Sequence, residues 1–125
     1  MFEISAEYTF AAGHALRNYK GKCENVHGHN YKVRVTVAGE KLNSAGLLMD
    51  FVDLRSEIKA TVERLDHRFL NEVPPFDRLN PSAENLAKHI FDEVEPHARN
   101  QGLQVNAVTV WETDTTSATY RPEKQ

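Results

Sequence analysis

Three histidines offer the most distinctive chemistry in this sequence. His27 and His29 flank Gly28, and His14 lies upstream of them. In an extended segment, residues i and i+2 project from one face about 6.6 Å apart. Two imidazoles so placed can tilt toward one ion, and Gly28 removes a side chain that would crowd the backbone. Three neutral imidazoles with no fourth strong ligand nearby form a catalytic zinc arrangement, because one coordination position stays open. Two other readings stand beside this one. His27 and His29 can merely cap a loop, or Cys23 can join the imidazoles and close a four-ligand structural site.

Strands must hold these rings. From about Phe2 to Ala12, apolar Phe2, Ile4, Ala6, Tyr8 and Phe10 alternate with polar Glu3, Ser5, Glu7 and Thr9, the period-2 pattern of a half-buried strand. Tyr31 to Ala38 repeats it with Tyr31, Val33, Val35 and Val37. His14 falls at the far end of the first strand in the parity of Tyr8 and Phe10. If the two strands pair as a hairpin, the end of one lies beside the start of the other and the three imidazoles converge. The loop between them contains Gly21 and Cys23.

Two helices follow a turn around Asn43 to Gly46. Phe51, Leu54, Ile58, Val62, Leu65 and Phe69 recur at steps of three and four behind Asp50, an N-cap candidate with Asp53 three residues on. The second helix opens at Asn80-Pro81-Ser82, with Ser82 a capping candidate, and buries Leu86, Ile90 and Val94. Val105 to Thr113 and Ala118 to Arg121 read as closing strands. The order β-β-α-α-β-β predicts an antiparallel α+β domain with helices on one sheet face. The polar alternate residues of the first strand must then meet water or a polar interface.

Composition narrows the setting. A chain of 125 residues favours one domain over residues 1–125. A formal charge of -3 gives no electrostatic reason to expect a nucleic-acid or anionic-membrane partner. No apolar run approaches the roughly 20 residues that span a bilayer, and the first residues lack the basic start and apolar stretch of a signal peptide. One cysteine rules out an intrachain disulfide framework and fits a reducing cytoplasm.

Cys23-Glu24-Asn25-Val26-His27-Gly28-His29-Asn30-Tyr31 resembles the signature of the 6-pyruvoyl- and 6-carboxy-tetrahydropterin synthase family. Phe10-Ala11-Ala12-Gly13-His14, Met49-Asp50-Phe51, Leu65-Asp66-His67-Arg68-Phe69-Leu70-Asn71, Asn80-Pro81-Ser82-Ala83-Glu84-Asn85 and Glu112-Thr113 extend the resemblance along nearly the whole chain. It implies the tunnelling fold (T-fold), four antiparallel strands backed by two helices, with subunits joining edge to edge into a barrel and usually a hexamer of two stacked trimers. It also implies zinc on His14, His27 and His29, Cys23 as catalytic thiol, Asp66 and His67 as the proton-transferring pair, and Glu112 as pterin anchor.

Each implied role is chemically sound, and each has a plainer counterpart. A metal or imidazolium lowers a thiol pKa from about 8.5, making Cys23 a usable base; otherwise it is an inert buried cysteine. Asp66 can orient His67 as carboxylates do in catalytic triads, or His67 can simply end a helix, favoured by its dipole. Glu112, on the face opposite Trp111, can accept two parallel hydrogen bonds from the 2-amino and N3–H groups of a pterin, or remain a surface glutamate. Ser82 and Thr113 are candidates for further pterin contacts, Ser82 equally for a cap. His89 and His97 receive no chemistry.

The resemblance further implies 7,8-dihydroneopterin triphosphate as substrate. Charge and position make Arg17, Lys20 and Lys22 candidate triphosphate ligands. The short spacing between Cys23 and His27 resembles bacterial 6-carboxy-tetrahydropterin synthases of queuosine biosynthesis, which release acetaldehyde. Glu24 instead resembles a subgroup that forms 6-hydroxymethyl-dihydropterin for folate synthesis, and the pyruvoyl reaction is a third outcome. A non-enzymatic metal-binding or interaction domain is the alternative of a different class.

Overall fold

The computed structural model describes residues 1–17 and 25–123. Its elements run β1 (Phe2–His14), β2 (His27–Gly39), α1 (Phe51–Val62), β3 (Arg68–Phe69), a 3₁₀ turn (Leu70–Glu72), α2 (Ala83–Asn100), β4 (Gln104–Thr113) and β5 (Thr116–Tyr120). The strands form one sheet in the order β3-β1-β2-β4-β5.

Alternation in the sequence decides which face of this sheet is dry. Ala6, Phe10 and Ala12 of β1, Tyr31, Val33, Val35 and Val37 of β2, and Val108 and Val110 of β4 point to one side and are buried. Leu54, Ile58 and Val62 of α1 and Leu86, Ile90 and Val94 of α2 close over them in the same cluster. Each such aliphatic side chain contributes about 1.5–3 kcal/mol when fully buried. The other face stays polar. Arg34 pairs with Glu7 at 2.7 Å, Lys32 and Arg34 lie over the Trp111 ring, and Thr109 bonds Thr119.

Both helices start where a side chain satisfies free backbone N–H groups. Asp50 accepts from the Val52 N–H at 2.8 Å, and Ser82 accepts from the Asn85 N–H at 3.1 Å. The Asn43 turn is closed by its own side chain, which accepts from the Ala45 and Leu47 N–H groups, with Gly46 at φ 78°.

Three expectations change. β1 and β2 run further than their apolar alternation, meeting at the pair His14–His27; the histidines themselves complete the ladder. α1 ends at Val62 rather than continuing to Phe69. Leu65 is buried, so the apolar repeat persists, but the backbone passes into a turn in which Leu65 and Asp66 both donate to the Val62 carbonyl and His67, at φ 58°, donates its N–H to the Ala11 carbonyl. The third change follows from the second. Arg68 and Phe69 pair in parallel with Ala12 and Gly13, so the sheet is mixed and has a fifth strand where four antiparallel ones were implied.

Candidate metal centre and proton-transfer pair

The antiparallel register places His14 directly opposite His27 and Ala12 opposite His29, putting three imidazoles on the buried face at one end of the sheet. Their candidate ligand nitrogens all lie within 4.8 Å of one another. Backbone carbonyls orient two of the rings. The Nδ1 atom of His14 is 2.8 Å from the Pro81 carbonyl, and that of His27 is 2.7 Å from the Asn25 carbonyl. A carbonyl only accepts, so both Nδ1 atoms carry a proton, and in the neutral rings both Nε2 atoms then present lone pairs. Those two Nε2 atoms face each other at 3.0 Å. The Nε2 of His29 is buried with no hydrogen-bond partner among the described residues. Burial pushes the His29 imidazole below its ordinary pKa; Glu112 opposes this, and the neighbouring imidazoles reinforce it.

Lone pairs converging in a partly buried site repel one another unless a cation sits between them. The donor set, three histidine nitrogens held by outer carbonyl contacts, suits a borderline divalent ion such as zinc. The residues present therefore fit the metal that the sequence implied. The expectation that no fourth strong ligand lies near is corrected. Glu112 Oε1 is 3.3 Å from His14 Nε2 and 3.6 Å from His29 Nε2. Strand parity brings it there: Val33 pairs with Val110, so Glu112, two residues on, shares the face of Tyr31. The Tyr31 phenol is driven well above its ordinary pKa by burial and then by the Glu112 charge.

Asp66 and His67 lie in the turn after α1. Asp66 Oδ1 accepts the Ala11 N–H at 2.9 Å, and His67 returns a hydrogen bond to the Ala11 carbonyl at 2.6 Å. The pair thus grips both polar groups of one β1 residue. His67 Nδ1 is 2.9 Å from the same Asp66 oxygen, while its side chain is 82% exposed. A histidine at positive φ is uncommon and costs free energy, so the surroundings must enforce it. The ring borders a hollow of about 570 Å³ together with Ala11, Gly13, Gly28 and Asn30. The Ala11 N–H, opposed by partial burial and aided by His67, holds the Asp66 carboxyl below the usual carboxylate range.

That depression has a stability consequence. A carboxyl whose folded pKa lies below its unfolded value of about 3.9 stabilises the fold above that value and loses the contribution as pH falls through the folded pKa. Asp66→Ala is therefore expected to destabilise the fold near neutrality by about 1 kcal/mol or less, because the half-exposed carboxylate is screened by solvent, with the difference from wild type shrinking below about pH 4. Urea titrations at pH 7 and pH 3 check this; an equal loss at both would exclude the ionised carboxylate as the cause.

The remaining candidates divide. Ser82 caps α2 through Oγ. Thr113 Oγ1 meets Thr116 Oγ1 and accepts the Thr116 N–H, fastening the β4–β5 turn. Three of the five N–H groups of the Arg17 guanidinium donate to the carbonyls of Phe76, Asn71 and Leu79, so this candidate triphosphate ligand also braces the fold. Cys23, Glu24, Lys20 and Lys22 lie outside the described residues.

Sequence reading did not find the groups that brace the site. The Asn71 and Asn80 side chains each accept an N–H and donate to a carbonyl, at Ala15 and Arg17 respectively, prolonging the path of β1 by backbone mimicry. The Pro81 and Asn25 carbonyls carry no side-chain signal at all. Asn71, Asn80 and Pro81 fall inside recognisable sequence blocks, and that is the only cue to them.

A sheet covered on one face by two helices, with convergent imidazoles at its strand ends, makes an α+β domain, and its structural neighbours are T-fold proteins. The chain aligns with a Caenorhabditis elegans 6-pyruvoyl tetrahydropterin synthase structure at a TM-score of 0.87 and 28% identity, covering 98% of this chain and 96% of that one. The sequence profile of the 6-pyruvoyl tetrahydropterin synthase family matches residues 3–123, and the chain belongs to that family. Among its relatives are a Haemophilus influenzae 6-carboxy-5,6,7,8-tetrahydropterin synthase, 31% identical over 97% of this chain and 99% of the relative, and the human 6-pyruvoyl tetrahydrobiopterin synthase, 36% identical over 97% and 92%.

Proposed function

We propose that this protein is a zinc-dependent 6-carboxy-5,6,7,8-tetrahydropterin synthase, converting 7,8-dihydroneopterin triphosphate to 6-carboxy-tetrahydropterin, acetaldehyde and triphosphate on the route to queuosine. The observation that carries this reading is the meeting of histidine lone pairs at the strand ends, 3.0 Å apart between His14 and His27. Curated relatives from Haemophilus influenzae and Bacillus subtilis bear the carboxy-synthase name, and the short Cys23-to-His27 spacing agrees with it.

His14, His27 and His29 would hold the zinc, which when bound polarises side-chain oxygens and acidifies the adjacent C–H bonds. Cys23, as thiolate, takes a proton from the pterin side chain. His67 moves protons at the other side, its Nδ1–H held by Asp66 so that Nε2 faces the reacting atoms. Glu112 orients the pterin by accepting from its 2-amino and N3–H groups. It lines a cleft of about 190 Å³ with Ala83, Glu84 and Thr116 to Ala118. Ser82 and Thr113, at the ends of the same elements, keep hydroxyl groups near the ring.

The site is assembled from several copies of the chain. β3 covers Ala12 and Gly13 of β1 and Asp66 and His67 hold Ala11, leaving the stretch before Ala11 without a strand partner on that edge among the described residues, and β5 forms the opposite edge of the sheet. Unpaired edges invite strand addition, and edge-to-edge closure into a barrel, stacked as a hexamer, gives the polar sheet face an enclosed interior. The exposed His67 ring then serves a neighbouring copy's metal. No helix among the described residues is long and apolar enough to cross a membrane, and the lone cysteine fits a cytoplasmic enzyme.

The test is the mass of the product formed from dihydroneopterin triphosphate by zinc-loaded protein. The carboxy product and acetaldehyde are expected. A pyruvoyl product would move the chain to the biopterin branch, and a hydroxymethyl product, which Glu24 beside Cys23 favours, to the folate branch. No turnover by intact, metal-loaded hexamer would leave a binding domain.

A further inference from the structure

The Glu112 carboxylate lies against the histidines as well as on the neighbouring cleft. Its Oε1 approaches two Nε2 atoms, at 3.3 Å and 3.6 Å, and its side chain is 32% exposed. Both Nδ1 protons of His14 and His27 are committed to carbonyls. In the neutral rings, the Nε2 atoms of His14 and His27 have no proton to offer Glu112. An anionic oxygen placed against such lone pairs is repelled unless all share a positive partner. Backbone geometry reinforces the placement. The β4–β5 register shifts between Trp111 and Thr113, so Glu112 sits at a bulge, a device that re-aims side chains. The same residue also borders the cleft at the start of α2, so one side chain faces two sites.

We propose that Glu112 is a fourth, exchangeable ligand of the ion held by His14, His27 and His29, capping it while the adjacent cleft is empty. The proposal rests on the three-histidine reading above. Zinc accepts carboxylate oxygen beside histidine nitrogen, so the set is chemically ordinary. A pterin entering the cleft offers Glu112 two N–H donors in place of the metal, and the ring's arrival then opens the coordination position its own side chain needs. Substrate recognition and exposure of the reactive position become a single event. The resting ion carries a protein ligand in that position.

Cobalt substitution tests this without reference to activity. Wild type, Glu112→Gln and Glu112→Asp are loaded with Co²⁺, and their visible spectra are compared; zinc affinity is measured in parallel by chelator competition. Glu112→Gln is expected to shift the d–d bands and weaken zinc by about 10–100-fold, the scale seen when a supporting partner of a metal site is lost. Glu112→Asp, which keeps the charge on a shorter arm, is expected to fall between. An unchanged cobalt spectrum in correctly folded Glu112→Gln overturns the proposal whatever its affinity. Failure of the wild type to bind one Co²⁺ or Zn²⁺ per chain would instead overturn the three-histidine reading itself.

Discussion

Replacing His27 by alanine is expected to leave the protein without bound metal and without turnover. Three nitrogens are the fewest protein ligands that hold a catalytic zinc, and His27 supplies one whose Nδ1 proton is already fixed by the Asn25 carbonyl. Loss of the metal removes several kcal/mol of charge stabilisation in the transition state, so turnover falls on the order of 10³-fold or more. The fold should survive, because His27 is only half-buried and the core lies beneath Tyr31 and Val33. The metal-free variant should even be at least as stable as the metal-free wild type, since it no longer sets two lone pairs 3.0 Å apart. Ligand binding raises stability through mass action, so zinc should raise the wild-type melting temperature and leave that of the variant unmoved. Stoichiometric zinc in the purified variant would remove His27 from the site.

How much of this centre is readable from sequence depends on the range of the physics involved. The pairing of His14 with His27 was open to inference because two alternating strands joined as a hairpin constrain their ends, and strand parity is a local property. The Glu112 contact was not: it depends on the β2–β4 register, Lys32 opposite Trp111, which joins residues far apart in the chain. β3 was invisible because two residues carry no period. α1 was overextended because Leu65 keeps the helical spacing while the backbone departs from it; the turn that follows is tied down by a hydrogen bond from His67 to Ala11, again long-range. The bracing role of Arg17 was hidden for a related reason. A basic residue in a loop reads as a free charge until its carbonyl partners at Asn71, Phe76 and Leu79 are seen.

Asp66→Asn separates catalysis from architecture at the second half of the site. Asp66 has two duties that meet on one oxygen: it accepts the Ala11 N–H and the Nδ1–H of His67. An asparagine carbonyl oxygen still accepts from Ala11, so the turn that fixes His67 at φ 58° persists, and the stability loss should be well below that of Asp66→Ala. The negative charge, however, is gone. Without it the imidazolium formed during proton transfer loses its partner, and the amide can also favour the wrong tautomer by donating to Nδ1. Turnover is therefore expected to fall about 10²–10⁴-fold, the range spanned by a positioned acid–base group, with metal content unchanged and substrate affinity little altered. Single-turnover rates and metal analysis on one preparation make the comparison. A rate within a few-fold of wild type would reduce Asp66 to a clamp on β1. A parallel loss of metal would mean that the clamp on Ala11 holds the histidine end of β1 in place, linking Asp66 to the ion through Ala12 and Gly13 rather than through His67.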